Sequence, residues 1–453
     1  MKNHKQFKKE LYRRRDEKLR VTARRKRILT ACISLVLVAG ALFGFFYSPW
    51  TSPIPERSPV TVHAADLMEN LQIPESIVEG KPADSQFIRS QMDFSLKLFQ
   101  QCVEKDNTLV SPLSVSLALA MTANGADGDT LADMEKALGG LSIEDLNDYL
   151  SYYVNQLPST ENTKLSIANS VWFKNNKEQF TPNQRFLETA YRYYGADAYA
   201  APFDQTTLED INNWVSQRTD GMIDRLLEDM DPYAVMYLIN TVLFDGQWAV
   251  PYENHQVLEE TFTSAAGKSQ TVSMMHSTEG WYLEDSNAVG FMKDYENSDY
   301  RFVALLPSEG MTVEEYIDTL TADSLLELLR SAEEHTVYAR LPKFEYEASY
   351  DLNKALSTLG MGSAFKRSAD FSQMGTTDTG DLFIGNVIHK TKITVNEKST
   401  KAAAATAVIM YATGAIAPPE DPITVTLDRP FVYLIIDTQT NLPLFMGTVT
   451  DLG

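Results

Sequence analysis

The chain has 453 residues, of which 44% are hydrophobic and 22% are charged, an ordinary globular composition with enough apolar material for a large core. Its net charge of −21 argues against a nucleic acid as partner. With only two cysteines, the chain is not a scaffold held together by many disulfides. The lack of an internal repeat argues against a repeat protein.

The charge is sharply divided along the chain. Residues 1–27 contain thirteen Lys or Arg and three Asp or Glu, so this tail carries +10 and the remaining residues carry −31. The next stretch, 28–47, has no charged residue. As a helix it would be roughly 30 Å long, the thickness of the hydrocarbon core of a bilayer. The flank of a membrane segment that is rich in Lys and Arg stays on the cytoplasmic side of the membrane. We therefore predict a basic cytoplasmic tail at 1–27 and a transmembrane signal anchor at 28–47.

The residues after the apolar stretch bear on whether it is retained. Tyr47, Pro49 and Trp50 stand where a cleaved signal peptide has small residues, and the nearest plausible cleavage site, before Ala65, lies well downstream. We therefore expect a retained anchor, which makes the protein a single-pass component of the cell membrane with an extracellular domain. Cleavage of the N-terminal segment, followed by secretion, is the alternative.

Prolines mark residues 48–86 as a spacer with little regular structure, and the folded domain is predicted to span 87–453. Helical patterns follow at 94–103, 111–123, 129–157 and 206–229. Strand patterns dominate later, at 237–244, 301–306, 337–341, 425–427 and 431–436. Helices and strands that do not alternate strictly predict the α+β class.

The segment 396–413 has two possible structures. Its alanine run, 402–405, favours a helix because alanine has the best helix propensity, yet strand-like residues precede and follow it. Laid out as a strand, it has Lys401 on one face. The other face is uncharged and consists of Thr400, Ala402, Ala404, Thr406 and Val408. A surface helix or loop and an insertable strand both stay open from these residues alone.

Residues 389–406, His-Lys-Thr-Lys-Ile-Thr-Val-Asn-Glu-Lys-Ser-Thr-Lys-Ala-Ala-Ala-Ala-Thr, resemble the hinge of the reactive-centre loop of serpins, a family of serine-protease inhibitors. Further segments are similar to serpin signatures and follow in the correct order. These segments are 110–116, 212–221, 239–248, 272–275, 341–344, 350–360, 369–372, 429–431 and 443–447. Each is modest evidence alone, whereas the ordered set is specific and extends over residues 87–453.

The resemblance implies the serpin fold, with a large central mixed sheet, two smaller sheets, about nine helices and an exposed reactive-centre loop. It implies a suicide inhibitor: a serine protease cleaves the loop and becomes a covalent acyl-enzyme, and the freed loop inserts into the central sheet. Such a protein is not an enzyme and needs no cofactor or metal, and we expect a monomer. The loop hinge implied by the resemblance consists of Glu397, Lys398, Ser399, Thr400, Lys401, Ala402, Ala403, Ala404, Ala405 and Thr406.

The chemistry of this hinge favours insertion. Thr400 is neither charged nor bulky, and no proline lies between Ala402 and Val408; either feature would stop insertion. Ser399 is a departure, because the family usually has glycine there. If the hinge requires a positive φ at this position, serine adds a modest cost. On balance, the hinge favours an inhibitor over a non-inhibitory relative.

The position of the cleaved bond is also implied by the resemblance. Family spacing predicts cleavage between Thr413 and Gly414. Because the loop is a few residues longer than usual, three alternative reactive residues stay open, namely Tyr411, Ala412 and Ile416. Small residues at the cut suggest an elastase-like or subtilisin-like target, whereas Tyr411 would suggest a chymotrypsin-like protease.

The six histidines fall in no recognisable catalytic motif. Ser111 and His389 are conceivable as half of a triad, but the resemblance implies a different role. Together with Ser114 and Asn240 they would form a polar cluster where the strands of the central sheet part, with Trp248 at the breach of that sheet. Because buried polar groups need partners, such a cluster can hold two sheet states by exchanging hydrogen bonds.

Three functions follow as hypotheses. The first is a membrane-tethered serpin that inhibits serine proteases. The second is a non-inhibitory serpin that acts as a binding or chaperone-like surface protein. The third is a hydrolase that uses Ser111 or another serine.

Overall fold

A computed structural model describes residues 62–69, 71, 80–175, 180–231, 234, 236–376, 382–385, 387–399 and 422–453. All of them belong to one folded unit, which spans Val60–Gly453. The predicted tail at 1–27 and the predicted signal anchor at 28–47 lie outside the described residues. Within the described ranges, no helix is both long and apolar enough to cross a bilayer.

The helices begin, in most cases, at a side-chain cap. Asp84 caps the first helix by accepting hydrogen bonds from the N–H groups of Gln86 and Phe87, and Ser111 caps the second, whose first residue is Pro112. A capping oxygen satisfies an amide that has no partner inside the helix, and proline fits the first position because it has no N–H to leave unpaired. The nine α-helices of the described residues are α1 (Ser85–Cys102), α2 (Pro112–Ala123), α3 (Gly128–Ala137), α4 (Ile143–Gln156), α5 (Gln184–Tyr194), α6 (Gln205–Arg218), α7 (Val313–Thr319), α8 (Ala322–Arg330) and α9 (Asn353–Leu356).

Two predicted helices are shorter than expected. The segment predicted as one helix at 129–157 forms α3 and α4, because Gly139 and Gly140 adopt positive φ between them. The segment predicted at 206–229 is helical only as far as Arg218. Asp220 and Gly221 have positive φ just beyond this point, a conformation that commonly ends a helix. The described residues between α6 and β6 are therefore non-helical.

The strands of the described residues are β1 (Ala65–Asp66), β2 (Thr108–Val110), β3 (Thr163–Lys174), β4 (Thr181–Pro182), β5 (Asp197–Ala201), β6 (Met236–Gly246), β7 (Val257–Thr263), β8 (Ser269–Glu284), β9 (Ala288–Asp294), β10 (Tyr300–Pro307), β11 (Glu333–Pro342), β12 (Phe344–Asp351), β13 (Gly375–Thr376), β14 (Ile388–Val395), β15 (Ile423–Thr426), β16 (Phe431–Asp437) and β17 (Pro443–Val449).

These strands form two larger sheets and two strand pairs. The largest sheet has the order β15-β11-β8-β9-β10-β16-β17-β2, with β7 also paired to β8, and the second has the order β1-β5-β3-β6. The pairs are β12-β14 and β13-β4. Both larger sheets are mixed, because β11 and β15, like β3 and β5, run parallel while most other neighbours run antiparallel. The predicted α+β class and mixed-sheet architecture are therefore confirmed.

The C-terminal strands lie in the core of the fold. Every residue of β16 and β17 is buried, and these strands are neighbours within the largest sheet, between β10 and β2. Strands covered on both faces read as nearly continuous apolar runs, which is the pattern seen at 431–436. Residues that follow the predicted loop are thus held firmly by the sheet.

Residues 62–69, within the predicted spacer, are part of the folded unit. Ala65 and Asp66 form β1, which pairs antiparallel with β5. The N–H groups of His63 and Ala64 donate to the Asp210 carboxylate on α6, at 2.8 and 3.1 Å. These residues therefore differ from the predicted spacer of little regular structure, because proline spacing gives no information about pairing with a distant strand.

Gly447 on β17 lies at a close approach of two strands. A Cβ atom there would meet the Tyr433 ring and stand 2.6 Å from the carbonyl oxygen of Thr108. We expect Gly447→Ala to lower the free energy of unfolding by about 3 kcal/mol, the upper range for overpacking a core, as measured by urea denaturation. Gly280→Ala on β8 is the matched control, because no atom lies within 4 Å of its Cβ position, and we expect a change below about 1 kcal/mol. Equal stability of the two variants would contradict this account.

Candidate functional site

The site is a gap between strands β6 and β14. Among the described residues, β6 pairs only with β3 and β14 pairs only with β12. Within the described ranges each strand thus has one edge without a strand partner, and the backbone N–H and C=O groups of such an edge can pair with an added strand. The contacts described next hold the two strands beside each other, and we call the space between these edges the insertion gap.

Ser111 and His389 connect β14 to the start of α2. Both residues are buried, and the Ser111 N–H donates to His389 Nε2 at 3.0 Å. As the cap of α2, Ser111 Oγ accepts a hydrogen bond from the Ser114 N–H at 3.4 Å. The imidazole therefore serves a backbone amide, which differs from the pairing of a nucleophilic hydroxyl with its general base. This geometry gives no support to the hydrolase hypothesis at Ser111.

Ser114 and Asn240 carry the same chain of hydrogen bonds on to β6. Ser114 Oγ donates to Asn240 Oδ1, and Asn240 Nδ2 donates to Asn169 Oδ1 on β3. The four residues predicted as a polar cluster are thus brought together, in a chain that runs from β14 through the start of α2 to β6. We call Ser111, Ser114, Asn240 and His389 the polar cluster; its role in opening the sheet stays a prediction.

Sequence reasoning missed three further residues of this site. Asn169 extends the polar cluster to β3. Thr391 Oγ1 donates to the Leu109 carbonyl at 2.8 Å, and Lys390 Nζ donates to the Arg225 carbonyl, in the connection between α6 and β6, also at 2.8 Å. The signal for Thr391 was its position two residues after His389, on the same buried face of β14. No local signal pointed to Lys390, because its partner is distant in the chain.

Burial sets the protonation state of His389. Its pKa falls from an ordinary value of 6.5 to about 4, because desolvation disfavours the charged ring. The ring is therefore neutral near pH 7, and a neutral imidazole has one nitrogen that accepts. Because Nε2 accepts from the Ser111 amide, the ring proton lies on Nδ1.

The chain reverses direction immediately after β14, at residues 396–399, which we call the hinge turn. The Asn396 N–H donates to the Ser399 carbonyl at 3.1 Å, while Asn396 Oδ1 accepts from the N–H groups of Lys398 and Ser399 at 3.0 and 3.1 Å. Ser399 then forms an antiparallel bridge with Gln247, the residue directly after β6. At Ser399 the chain is thus antiparallel to the end of β6.

Ser399 adopts this turn without the backbone conformation that favours glycine. It is fully buried, and it is not among the non-glycine residues of positive φ in the described ranges. The cost expected for serine in place of glycine depended on a positive φ, so it does not apply in this conformation.

Residues 247–252, which we call the hinge support, hold the hinge turn from the β6 side. The N–H groups of Trp248 and Tyr252 donate to the carbonyls of Lys398 and Glu397, at 3.1 and 2.7 Å. The indole N–H of Trp248 donates to the Asn396 carbonyl at 2.8 Å. Trp248, predicted at the breach, is thus a buried residue that contacts the hinge turn directly.

An ion pair adds to these contacts. Lys343 Nζ lies 2.7 Å from the Glu397 carboxylate, and this ammonium group lowers the pKa of the carboxyl below its usual range. Both side chains are about one-third exposed, so water screens the pair and its contribution to stability is small. Of the predicted hinge, Glu397, Lys398 and Ser399 are described. The positions from Thr400 to Thr406, and the reactive residues Tyr411, Ala412, Thr413, Gly414 and Ile416, lie outside the described residues.

Comparison with known proteins decides the family. The family model described as Serpin (serine protease inhibitor) matches residues 89–452. The chain belongs to the serpin family.

Relatives of this serpin include a thermophilic serpin, a protein named as an elastase inhibitor and a thyroxine-binding globulin. The native-state crystal structure of the thermophilic serpin tengpin is 49% identical with a TM-score of 0.81, and the match covers 86% of this chain and 100% of that one. Leukocyte elastase inhibitor A of Mus musculus is 32% identical over 375 residues, which are 79% of this chain and 97% of the relative. Human thyroxine-binding globulin, crystallised with thyroxine, is 25% identical with a TM-score of 0.72, covering 82% and 100% of the two chains.

The depressed pKa of His389 predicts how stability depends on pH. Because the folded-state value of about 4 lies below the ordinary 6.5, protonation favours the unfolded chain. The contribution of neutral His389 is therefore complete above about pH 6.5 and is lost as the pH falls towards 4. At 1.36 kcal/mol per pKa unit, the loss between pH 7.5 and 4.5 is about 2.5 kcal/mol.

Urea denaturation at the two pH values measures this loss. His389→Gln keeps an acceptor for the Ser111 N–H but has no group that titrates. Between pH 7.5 and 4.5 we therefore expect the free energy of unfolding of this variant to fall by about 2.5 kcal/mol less than that of the unmodified serpin. His255→Gln is the control for the same substitution at the surface, because the His255 side chain is 76% exposed. Parallel pH profiles for the serpin and His389→Gln would show that His389 titrates normally.

Proposed function

We propose that this serpin inhibits serine proteases by a suicide mechanism in which its cleaved loop inserts between β6 and β14. The observation that carries the proposal is the direction of the hinge turn. At Ser399 the chain has reversed after β14 and pairs antiparallel with Gln247, at the end of β6. A strand continuing from Ser399 in this direction would run along two edges that have no strand partner among the described residues.

The protease supplies the covalent step. Its catalytic serine attacks the carbonyl carbon of the residue before the cut bond, forms an ester there and releases the amine of the next residue. We propose Thr413 and Gly414 as these two residues, with Tyr411, Ala412 and Ile416 as alternatives from the sequence. Hydrolysis of the ester would release active protease, so trapping requires that insertion precede hydrolysis.

Insertion has a large favourable free energy available. Some 14 residues that gain backbone hydrogen bonds at about 1 kcal/mol each would release on the order of 10 kcal/mol. This is comparable with the whole net stability of a typical domain, about 5–15 kcal/mol. An attached protease pulled along by the loop can therefore be distorted. The fragment after the cut would stay in place, since β16 and β17 are buried at every residue.

The target and location follow from the sequence. Small residues at Thr413 and Gly414 fit the shallow pocket of an elastase-like or subtilisin-like protease, and the name of the mouse relative, a leukocyte elastase inhibitor, supports the first of these. We propose that residues 28–47 anchor the serpin in the cell membrane as a monomer, with its acidic domain outside the cell.

A second candidate is a non-inhibitory serpin that binds a ligand or another protein at the cell surface. Thyroxine-binding globulin supports this alternative, because that relative has the same fold and was crystallised with thyroxine. The alanine-rich hinge favours the inhibitor, since nothing between Thr400 and Val408 would block a strand.

Incubation of the serpin with a panel of serine proteases tests the proposal. We expect denaturing electrophoresis to show a covalent band whose mass is that of the protease plus the serpin without its C-terminal fragment. Mass spectrometry should show that the fragment released on denaturation begins at Gly414. Cleavage of the loop by every protease in the panel, without any such band, would favour the non-inhibitory candidate.

A charge on the inserting face should convert the inhibitor into a substrate. Thr400 lies on the uncharged face of the proposed strand, so Thr400→Arg would bury an unpaired charge, which costs several kcal/mol. We expect this variant to be cleaved at the normal rate with at least about tenfold less covalent complex, since 1.4 kcal/mol already corresponds to that factor. Lys401→Arg is the matched control on the opposite face and should form normal complex. Undiminished complex with Thr400→Arg would refute insertion.

A further inference from the structure

Lys293, on β9, is a buried cation directly beneath the hinge support. Its side chain is 2% exposed, and Nζ lies 2.8 Å from the Glu279 carboxylate on β8, which is itself 11% exposed. Nζ also donates to the Val250 carbonyl at 3.1 Å. A lysine this deeply buried requires charged or hydrogen-bonding partners that offset its loss of hydration. One of those partners, the Val250 carbonyl, belongs to the hinge support.

Two aromatic rings of the hinge support complete the surroundings of this ammonium group. Nζ lies 4.4 Å from the centroid of the Tyr252 ring and 5.5 Å from that of Trp248. Both distances are within the range of about 6 Å over which a cation is attracted to an aromatic face. Lys293 therefore contacts the hinge support at its beginning, its middle and its end, through Trp248, Val250 and Tyr252.

The same two aromatic residues hold the hinge turn. Their N–H groups donate to the carbonyls of Lys398 and Glu397, and the Trp248 indole N–H donates to the Asn396 carbonyl. The Trp248 ring also stacks on Tyr295, at 4.6 Å between centroids. Tyr252 thus faces Lys293 with its ring and the hinge turn with its backbone, while Trp248 contacts the hinge turn with both its backbone and its ring. The cation is therefore one residue removed from the hinge.

A contribution to stability alone does not explain why a lysine is buried at position 293. Replacing a buried ion pair by well-packed apolar residues is often neutral or stabilising, because desolvation of the two charges offsets their attraction. What a fixed cation adds is geometry, since it has one position in which it satisfies the carboxylate, the carbonyl and both rings. A methionine of similar length would fill the space without fixing the rings.

We propose that Lys293 is a positioning residue for loop insertion, which fixes the hinge support so that the hinge turn is held at the entrance of the insertion gap. This proposal rests on the inhibitory function proposed above. When the cation is removed, the hinge turn detaches more often. The cleaved loop then begins insertion from many orientations, and more acyl-enzyme is hydrolysed before trapping.

Amide hydrogen exchange in the full chain tests the positioning role without a protease. The variants are Lys293→Met and the double variant Lys293→Met with Glu279→Met, which leaves no unpaired buried charge and keeps the test valid if the single variant does not fold. We expect the amides of Trp248 and Tyr252 to exchange at least about tenfold faster in the double variant, because each reports opening of its bond to the hinge turn. Leu146→Ala, a core truncation on α4, is the control for general destabilisation and should leave these two amides unchanged.

The number of serpin molecules consumed per protease molecule is the second readout. We expect at least about twofold more molecules of the double variant than of the unmodified chain to be consumed per protease molecule, because a larger fraction of the acyl-enzyme is hydrolysed before trapping. Leu146→Ala should not change this number. Unchanged exchange of Trp248 and Tyr252 in the double variant would overturn the positioning role. Failure of the unmodified serpin to form any complex would instead refute the inhibitory function, while the exchange experiment would still report on Lys293.

Discussion

The structure depends on two strand edges, those of β6 and β14, that have no strand partner among the described residues. Most proteins cover or blunt such edges, because exposed rows of backbone donors and acceptors recruit other strands. Here the edges lie beside each other in one chain, and the hinge turn brings the end of β14 around to meet the end of β6 at Ser399 and Gln247. The described edges of β6 and β14 therefore offer backbone donors and acceptors to an added strand, which is what the proposed insertion requires.

The polar cluster suits this arrangement because of the groups that it uses. Serine, asparagine and neutral histidine each offer both a donor and an acceptor, so each can exchange one partner for another without leaving a buried group unsatisfied. A charged residue in the same place would lose several kcal/mol whenever its partner moved. The depressed pKa of His389 has the same consequence, since it keeps the one titratable member neutral near pH 7. In the described conformation the cluster connects β14 to β6, and the proposed insertion requires that it exchange these partners when the strands separate.

The sequence predicted the parts of this site that depend on local signals. The Ser111-Pro112 start of α2 and the strands β6, β10 and β16 lie where capping and periodicity placed them. The break between α3 and α4 was also encoded locally, in Gly139 and Gly140, but the helical periodicity on both sides outweighed it.

Other parts depend on contacts between residues far apart in the chain, and these could not be predicted. Lys293 meets Glu279 only because β8 and β9 are neighbours in one sheet, and a lysine in a strand pattern ordinarily indicates a solvated face. Lys390 is similar, because its acceptor lies in the connection after α6. In both cases tertiary contacts that propensity and periodicity do not record surround a charged residue, and they leave the side chain of Lys293 2% exposed and that of Lys390 15% exposed.

The hinge turn shows how this serpin tolerates Ser399 where glycine is usual. The reversal is made by the Asn396 side chain, which accepts from two successive N–H groups and so replaces a backbone conformation that only glycine reaches easily. The turn is then held by neutral hydrogen bonds from Trp248 and Tyr252 and by one partly exposed ion pair. Each of these contacts is individually weak in water, and together they fix the direction in which the chain leaves β14. Direction and ease of release are the two properties that a loop needs if it must enter a sheet before an ester is hydrolysed.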